Sequence, residues 1–215
     1  MGPGCSPRSG LHLALTDWNQ DDTTSLFIID EGKPARAILN RKEVLLSPHW
    51  SPNGWKIVFG MGRFVRFAGA EKSIDPKHGA DQVGMVNANG SEFDVNTSGP
   101  NNNAFPSFSP DGKRIVYRTT GPDGEGLRIM NIEDHSVTVL TNFYDNFPVW
   151  SPRGDLIEFT RKVGQDFEVF TIQQDGKNVT QLTHTHGNDT HASWSPDEER
   201  IVFTSSRMGF KDEAL

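Results

Sequence analysis

One short frame recurs five times along this chain and limits its fold more than any other property. It reads Pro3-Gly4-Cys5-Ser6-Pro7, Pro48-His49-Trp50-Ser51-Pro52-Asn53-Gly54, Pro106-Ser107-Phe108-Ser109-Pro110-Asp111-Gly112, Pro148-Val149-Trp150-Ser151-Pro152-Arg153-Gly154 and Ala192-Ser193-Trp194-Ser195-Pro196-Asp197-Glu198. Its serines fall at 6, 51, 109, 151 and 195, spaced by 45, 58, 42 and 44 residues. A period near 44, lengthened once, means one supersecondary unit used repeatedly. Ser-Pro-Asp-Gly suits a type I turn: Ser begins it, Pro fixes φ at the second position, and Asp and Gly complete it.

Strand signals surround each turn. The runs after it are Trp55-Lys56-Ile57-Val58-Phe59, Lys113-Arg114-Ile115-Val116-Tyr117, Asp155-Leu156-Ile157-Glu158-Phe159 and Arg200-Ile201-Val202-Phe203, all of high β-propensity. A third run follows in each complete unit, such as Leu127-Arg128-Ile129-Met130. Tight turns come next, clearest at Asn89-Gly90 and Asp175-Gly176, and a closing strand such as Val137-Thr138-Val139-Leu140-Thr141 ends the unit. Four antiparallel strands in about 44 residues is the arithmetic of a β-propeller blade. The expected fold is therefore all-β, with blades at about 1–46, 47–104, 105–146 and 147–190 and an incomplete one at 191–215. Trp50, Phe108, Trp150 and Trp194 are expected to wedge between blades, because a lone sheet leaves both apolar faces open.

The run Trp194-Ser195-Pro196-Asp197-Glu198-Glu199-Arg200-Ile201-Val202-Phe203-Thr204-Ser205-Ser206-Arg207, with the closing Leu-Thr of other units, resembles the WD40-like propeller repeat of TolB and its relatives. The resemblance covers nearly the whole chain. It implies a propeller of six blades, used as an interaction platform or as a domain attached to a peptidase. Two turns depart from the pattern: Pro7-Arg8-Ser9-Gly10 carries an extra residue, and Glu198 replaces the turn glycine. The fifth unit stops after its second strand. The expectation is about four and a half blades of a longer parent, with unpaired strand edges that favour self-association.

Composition removes several function classes. The formal net charge is −7 and no run of five like charges occurs, so the basic stripe of a nucleic-acid binder is missing. Cys5 is the single cysteine, which excludes an intrachain disulfide and a cysteine zinc site. The start, Met1 to Pro7, lacks the apolar core of a signal peptide. No stretch approaches the roughly 20 apolar residues that cross a bilayer as a helix. Gly-x-Ser-x-Gly, His-Glu-x-x-His and the phosphate-cradling Gly-x-x-x-x-Gly-Lys are absent, so no catalytic residue and no cofactor is assigned.

Candidate contacts come from the loops that join strands two and three and from the connections between blades, which share one face of a propeller. The lengthened loop, about 62–81, contains Arg63, Phe64, Arg66 and Phe67, then Asp75-Pro76-Lys77-His78. Loops of this length often carry function. Aligning Phe105-Pro106, Phe147-Pro148 and His191-Ala192 puts Asn103, Asp145 and Asp189 in matching positions at the channel mouth. Such oxygens suit calcium or a backbone amine, or serve only as local turn caps. His184-Thr185-His186 with His191 is the one histidine cluster, a zinc set if it converges and a solvated loop if it does not. The reading is a non-catalytic scaffold that binds a protein or peptide through loops 62–81, 97–105, 142–147 and 184–191. Two alternatives stay open: the gating half of a serine peptidase, and a cation- or small-ligand-binding propeller.

Overall fold

The computed structural model describes residues 4–5, 12–18, 23–62 and 80–207, and every regular element among them is a strand. The first sheet holds β1 (Gly4–Cys5), β2 (His12–Trp18), β3 (Thr24–Asp30) and β4 (Arg36–Arg41). The second holds β5 (Val44–Trp50), β6 (Lys56–Gly62), β7 (Gln82–Asn87) and β8 (Asp94–Val95). The third holds β9 (Asn102–Phe108), β10 (Arg114–Gly121), β11 (Gly124–Asn131) and β12 (Val137–Val139). The fourth holds β13 (Asp145–Trp150), β14 (Leu156–Val163), β15 (Asp166–Gln173) and β16 (Thr180–Gln181), and β17 (Asp189–Trp194) pairs with β18 (Ile201–Ser205). Strand order within each sheet is chain order, so each is a meander of hairpins. The chain divides into two compact units, one of residues 1–106 with 119–123 and one of residues 107–118 with 124–215.

The recurring turn explains its own composition. In the second sheet Gly54 N–H donates to Ser51 C=O at 2.9 Å, and Gly112, Gly154 and Glu198 do the same to Ser109, Ser151 and Ser195. The serine hydroxyl accepts the N–H five residues on, from Lys56 at 2.9 Å, Arg114 at 3.0 Å, Leu156 at 3.2 Å and Arg200 at 2.9 Å. It donates in turn to Asn53, Asp111, Asp155 or Asp197. The fourth turn residue is left-handed, with φ of 71°, 68° and 82° at Gly54, Gly112 and Gly154. Glu198 keeps that conformation at φ 63° despite its side chain. Its carboxylate compensates by accepting the backbone N–H of Arg153 and pairing with that residue's guanidinium at 3.5 Å, which ties two successive turns together.

The closing threonine is equally repetitive. Thr97, Thr141 and Thr183 are buried, and their hydroxyls accept the N–H groups of Val83, Leu127 and Val169, each at 2.9 Å. The Leu-Thr signature thus satisfies a third-strand donor where the short fourth strand has ended. Thr141→Val strands the Leu127 N–H and is expected to cost about 1–3 kcal/mol. Urea titration against Thr138→Val, on the exposed side of β12, measures the difference.

Two apolar clusters hold the units. In the first, Ala14, Leu26 and Ile28 meet Leu45, Trp50, Ile57, Phe59, Met61 and Val86. In the second, Val116, Leu127, Ile129 and Leu140 meet Trp150, Ile157, Phe159, Phe170 and Ile172. Trp50 and Trp150 therefore lie between consecutive sheets, and Phe108 is buried. Trp194 is only half-buried, because β17–β18 has a sheet on one side of it alone among the described residues.

Candidate binding face

The first strand of each later sheet bends at one point. Ser47, Phe105, Phe147 and His191 occupy that point with φ of 49°, 54°, 52° and 49°, a left-handed backbone that non-glycine residues rarely adopt. In β5, β13 and β17 the bend is a bulge: the register slips between Leu46 and His49, between Asn146 and Val149, and between Thr190 and Ser193. Bulges of this kind re-aim a side chain beside the strand. The proline after Ser47, Phe105 and Phe147 disfavours the right-handed helical region for each of them.

Two residues before the bend stand Leu45, Asn103, Asp145 and Asp189, all buried. Asn103 donates to Gln82 Oε1 at 3.0 Å and to Asn101 C=O at 3.2 Å, and Gln82 also receives Thr97 at 2.6 Å, so Asn103 pins its own connection. Asp145 receives Arg161 in two parallel hydrogen bonds, Nε to Oδ1 at 2.7 Å and Nη2 to Oδ2 at 2.8 Å. Asp189 receives Arg207 and Ser205. The three polar residues thus share a position but spend their oxygens and amide inside the protein. No group of three or more His, Cys, Asp or Glu that could hold a metal occurs among the described residues. His184 and His186 are exposed, with His186 Nδ1 3.5 Å from Asp166 Oδ2, whereas His191 lies against the Phe147 ring at a centroid distance of 4.0 Å. Arg63, Phe64, Arg66 and Phe67 lie outside the described residues.

Side chains that the sequence reading did not single out build the rest of the face. Connection 142–147 presents Phe143, 59% exposed, and Tyr144, 43% exposed. The Arg161 guanidinium, already held by Asp145, lies 4.4 Å from the Phe143 ring centroid and 5.1 and 5.2 Å from those of Phe159 and Phe170. Tyr144 is tilted on Phe167 at 6.2 Å. The connection thus shows Phe143, over the Asp145–Arg161 pair, and Tyr144 at its start, and Phe147 against His191 at its end. Exposed aromatics fixed in this way are the raw material of interface anchors.

No protein-family model matches the chain. A TolB homolog of Chlorobium luteolum is 29% identical over 105 residues, covering 48% of this chain and 24% of that protein. Among solved structures, an Agrobacterium tumefaciens protein assigned as TolB superposes with a TM-score of 0.78 at 21% identity, over 98% of this chain and 71% of that one. TolB from Acinetobacter baumannii gives 0.73 at 22%, over 91% and 47%. An oligogalacturonate lyase bound to manganese (0.68 at 14%, over 94% and 61%) and a prolyl endopeptidase (0.63 at 14%, over 97% and 32%) share the fold. These likenesses and the serial four-stranded sheets define a β-propeller. Its repeats are similar to those of TolB-like, PD40-type propellers. The chain spans about a quarter of the Chlorobium relative and about half of the Acinetobacter protein.

Proposed function

We propose that this chain is a non-catalytic scaffold that binds a protein or peptide on the face carrying its blade-to-blade connections. The observation behind this reading is the exposed pair Phe143, braced by Arg161, and Tyr144, in the connection that ends at Phe147 and His191. Aromatic rings on a rigid sheet end lose little entropy on binding, and Tyr, Trp and Arg dominate interface hot spots. Similarity to proteins named TolB, one of them described as a Tol-Pal system protein, supports a platform rather than a catalyst.

Peptides selected from a display library on the wild-type chain test it. A Phe143→Ser/Tyr144→Ser variant is expected to lose at least about tenfold in affinity for them, the equivalent of one anchor, with its melting temperature unchanged. Equal binding by the variant would reject this face. A second reading, the propeller part of a serine peptidase, draws on the likeness to the prolyl endopeptidase. Sequencing in frame past codon 215 tests it: a Gly-x-Ser-x-Gly segment with later Asp and His would favour it. The cation reading fares worse, since arginines occupy both aspartates it would use.

A further inference from the structure

Strand two of each sheet alternates its side chains between two faces. On β14, Ile157 and Phe159 enter the apolar cluster shared with the third sheet, so the residue between them points the other way, toward β17, which packs on β13, β14 and β15. That residue is Glu158. The same position holds Val58 and Val116 in the second and third sheets, both fully buried, and Val202 in β18, which is exposed. Glu158 is itself fully buried, and neither carboxyl oxygen has a hydrogen-bond partner. Thr160 Oγ1 on the same strand and Trp194 Nε1 on β17 are likewise buried without a partner. A carboxylate in such a place has no countercharge and no protein donor among the described residues, which costs far more than the neutral acid would.

We propose that Glu158 is a proton-dependent latch on the seam between the fourth sheet and β17–β18: the seam closes on the neutral carboxyl and is loosened when the proton leaves. Burial alone pushes this carboxyl up to about 8, and no neighbouring charge contributes. The charged groups on the surrounding strands are engaged elsewhere. Asp145 on β13 holds Arg161, Glu168 on β15 accepts Thr183, Asp189 on β17 holds Arg207, and Asp166 lies beside His186. His191 on β17 lies on Phe147, and β18 contributes no titratable side chain.

The closed seam keeps its proton up to about pH 8, whereas the carboxyl freed by opening returns to its ordinary value of 4.5. Between those limits the open form binds fewer protons, so each pH unit of increase favours opening by about tenfold. Below the lower limit both forms are protonated, and above the upper limit both are ionised, so the dependence levels off at each end. Acid tightens this seam. The inference is independent of what the chain binds.

Hydrogen exchange of the β17 and β18 amides in the full chain, corrected for intrinsic chemistry, reads the opening equilibrium directly. From pH 6 to pH 8 it is expected to rise about 50-fold in the wild type, tenfold for the first unit and less as the closed form itself begins to ionise near pH 8, and to stay flat in Glu158→Gln and in Glu158→Val, the latter restoring the residue of the sister sheets. A flat wild-type profile, or the same rise in both variants, would overturn the latch. Should a variant fail to fold, carbon-13 NMR of the wild-type carboxyl decides: titration near 4.5 in the folded chain also overturns it.

Discussion

Trp150→Ala is expected to destabilise the chain by about 3–5 kcal/mol, the range for emptying a buried aromatic site. Trp150 is 4% exposed and is the piece of the fourth sheet's first strand that enters the cluster of Val116, Leu127, Ile129 and Leu140. The Arg114 guanidinium lies 4.8 Å from its ring centroid, while Arg114 Nη1 donates to Gln174 at 2.7 Å. Removing the indole therefore opens a cavity and also releases a cation held over its face. For a chain of this length, roughly 2–4 °C of melting temperature accompanies each kcal/mol, so calorimetry should show a fall of about 6–20 °C. Trp55→Ala, at a position 59% exposed, is the control and should move the transition by no more than about 2 °C. Equal shifts for the two would mean that the cluster does not hold these sheets together.

Arg161→Met is expected to cost about 3–5 kcal/mol, because it leaves the Asp145 carboxylate buried and uncompensated. The useful comparison is the double variant Asp145→Leu/Arg161→Met. In the fourth sheet Asp145 and Arg161 face each other across the register, and in the second sheet Leu45 and Met61 do so beside the same bulge. Leu45 and Met61 are buried, so this fold already accommodates an apolar pair there. The double variant should recover most of the lost stability, and a thermodynamic cycle from urea titrations gives the coupling directly. A double variant as unstable as Arg161→Met would show that the two positions are not equivalent. Recovered stability with altered peptide binding would assign the ion pair to the bracing of Phe143.

The repeat made the sheets legible. The four Ser-Pro turns among the described residues, their following strands and the closing threonines are local signals, and each appears where the spacing put it. The first-strand alignment was legible too, through the Pro that follows Phe105 and Phe147, although Ser47-Pro48 escaped it because Leu45 replaces the polar residue two places earlier. Arg161 and Arg207 were not, for a geometric reason. They lie 16 and 18 residues from their aspartates, and the pairing depends on strand register across a bulge. Nor does sequence separate an aromatic turned outward, such as Phe143, from one turned inward, such as Phe159. Glu158 reads as an ordinary polar residue until its strand neighbours fix which way it points.

The repeated left-handed bend has a consequence for how such a chain changes what it recognises. Four homologous places carry the same backbone but three kinds of side chain: Ser47, Phe105 and Phe147, and His191. The scaffold has evidently accepted a hydroxyl, two phenyl rings and an imidazole there without altering the bend. Each place is an address whose occupant can be exchanged while the sheet behind it stays as it is. New recognition can then arise by single replacements at addresses already built, with no loop to redesign and no core to repack.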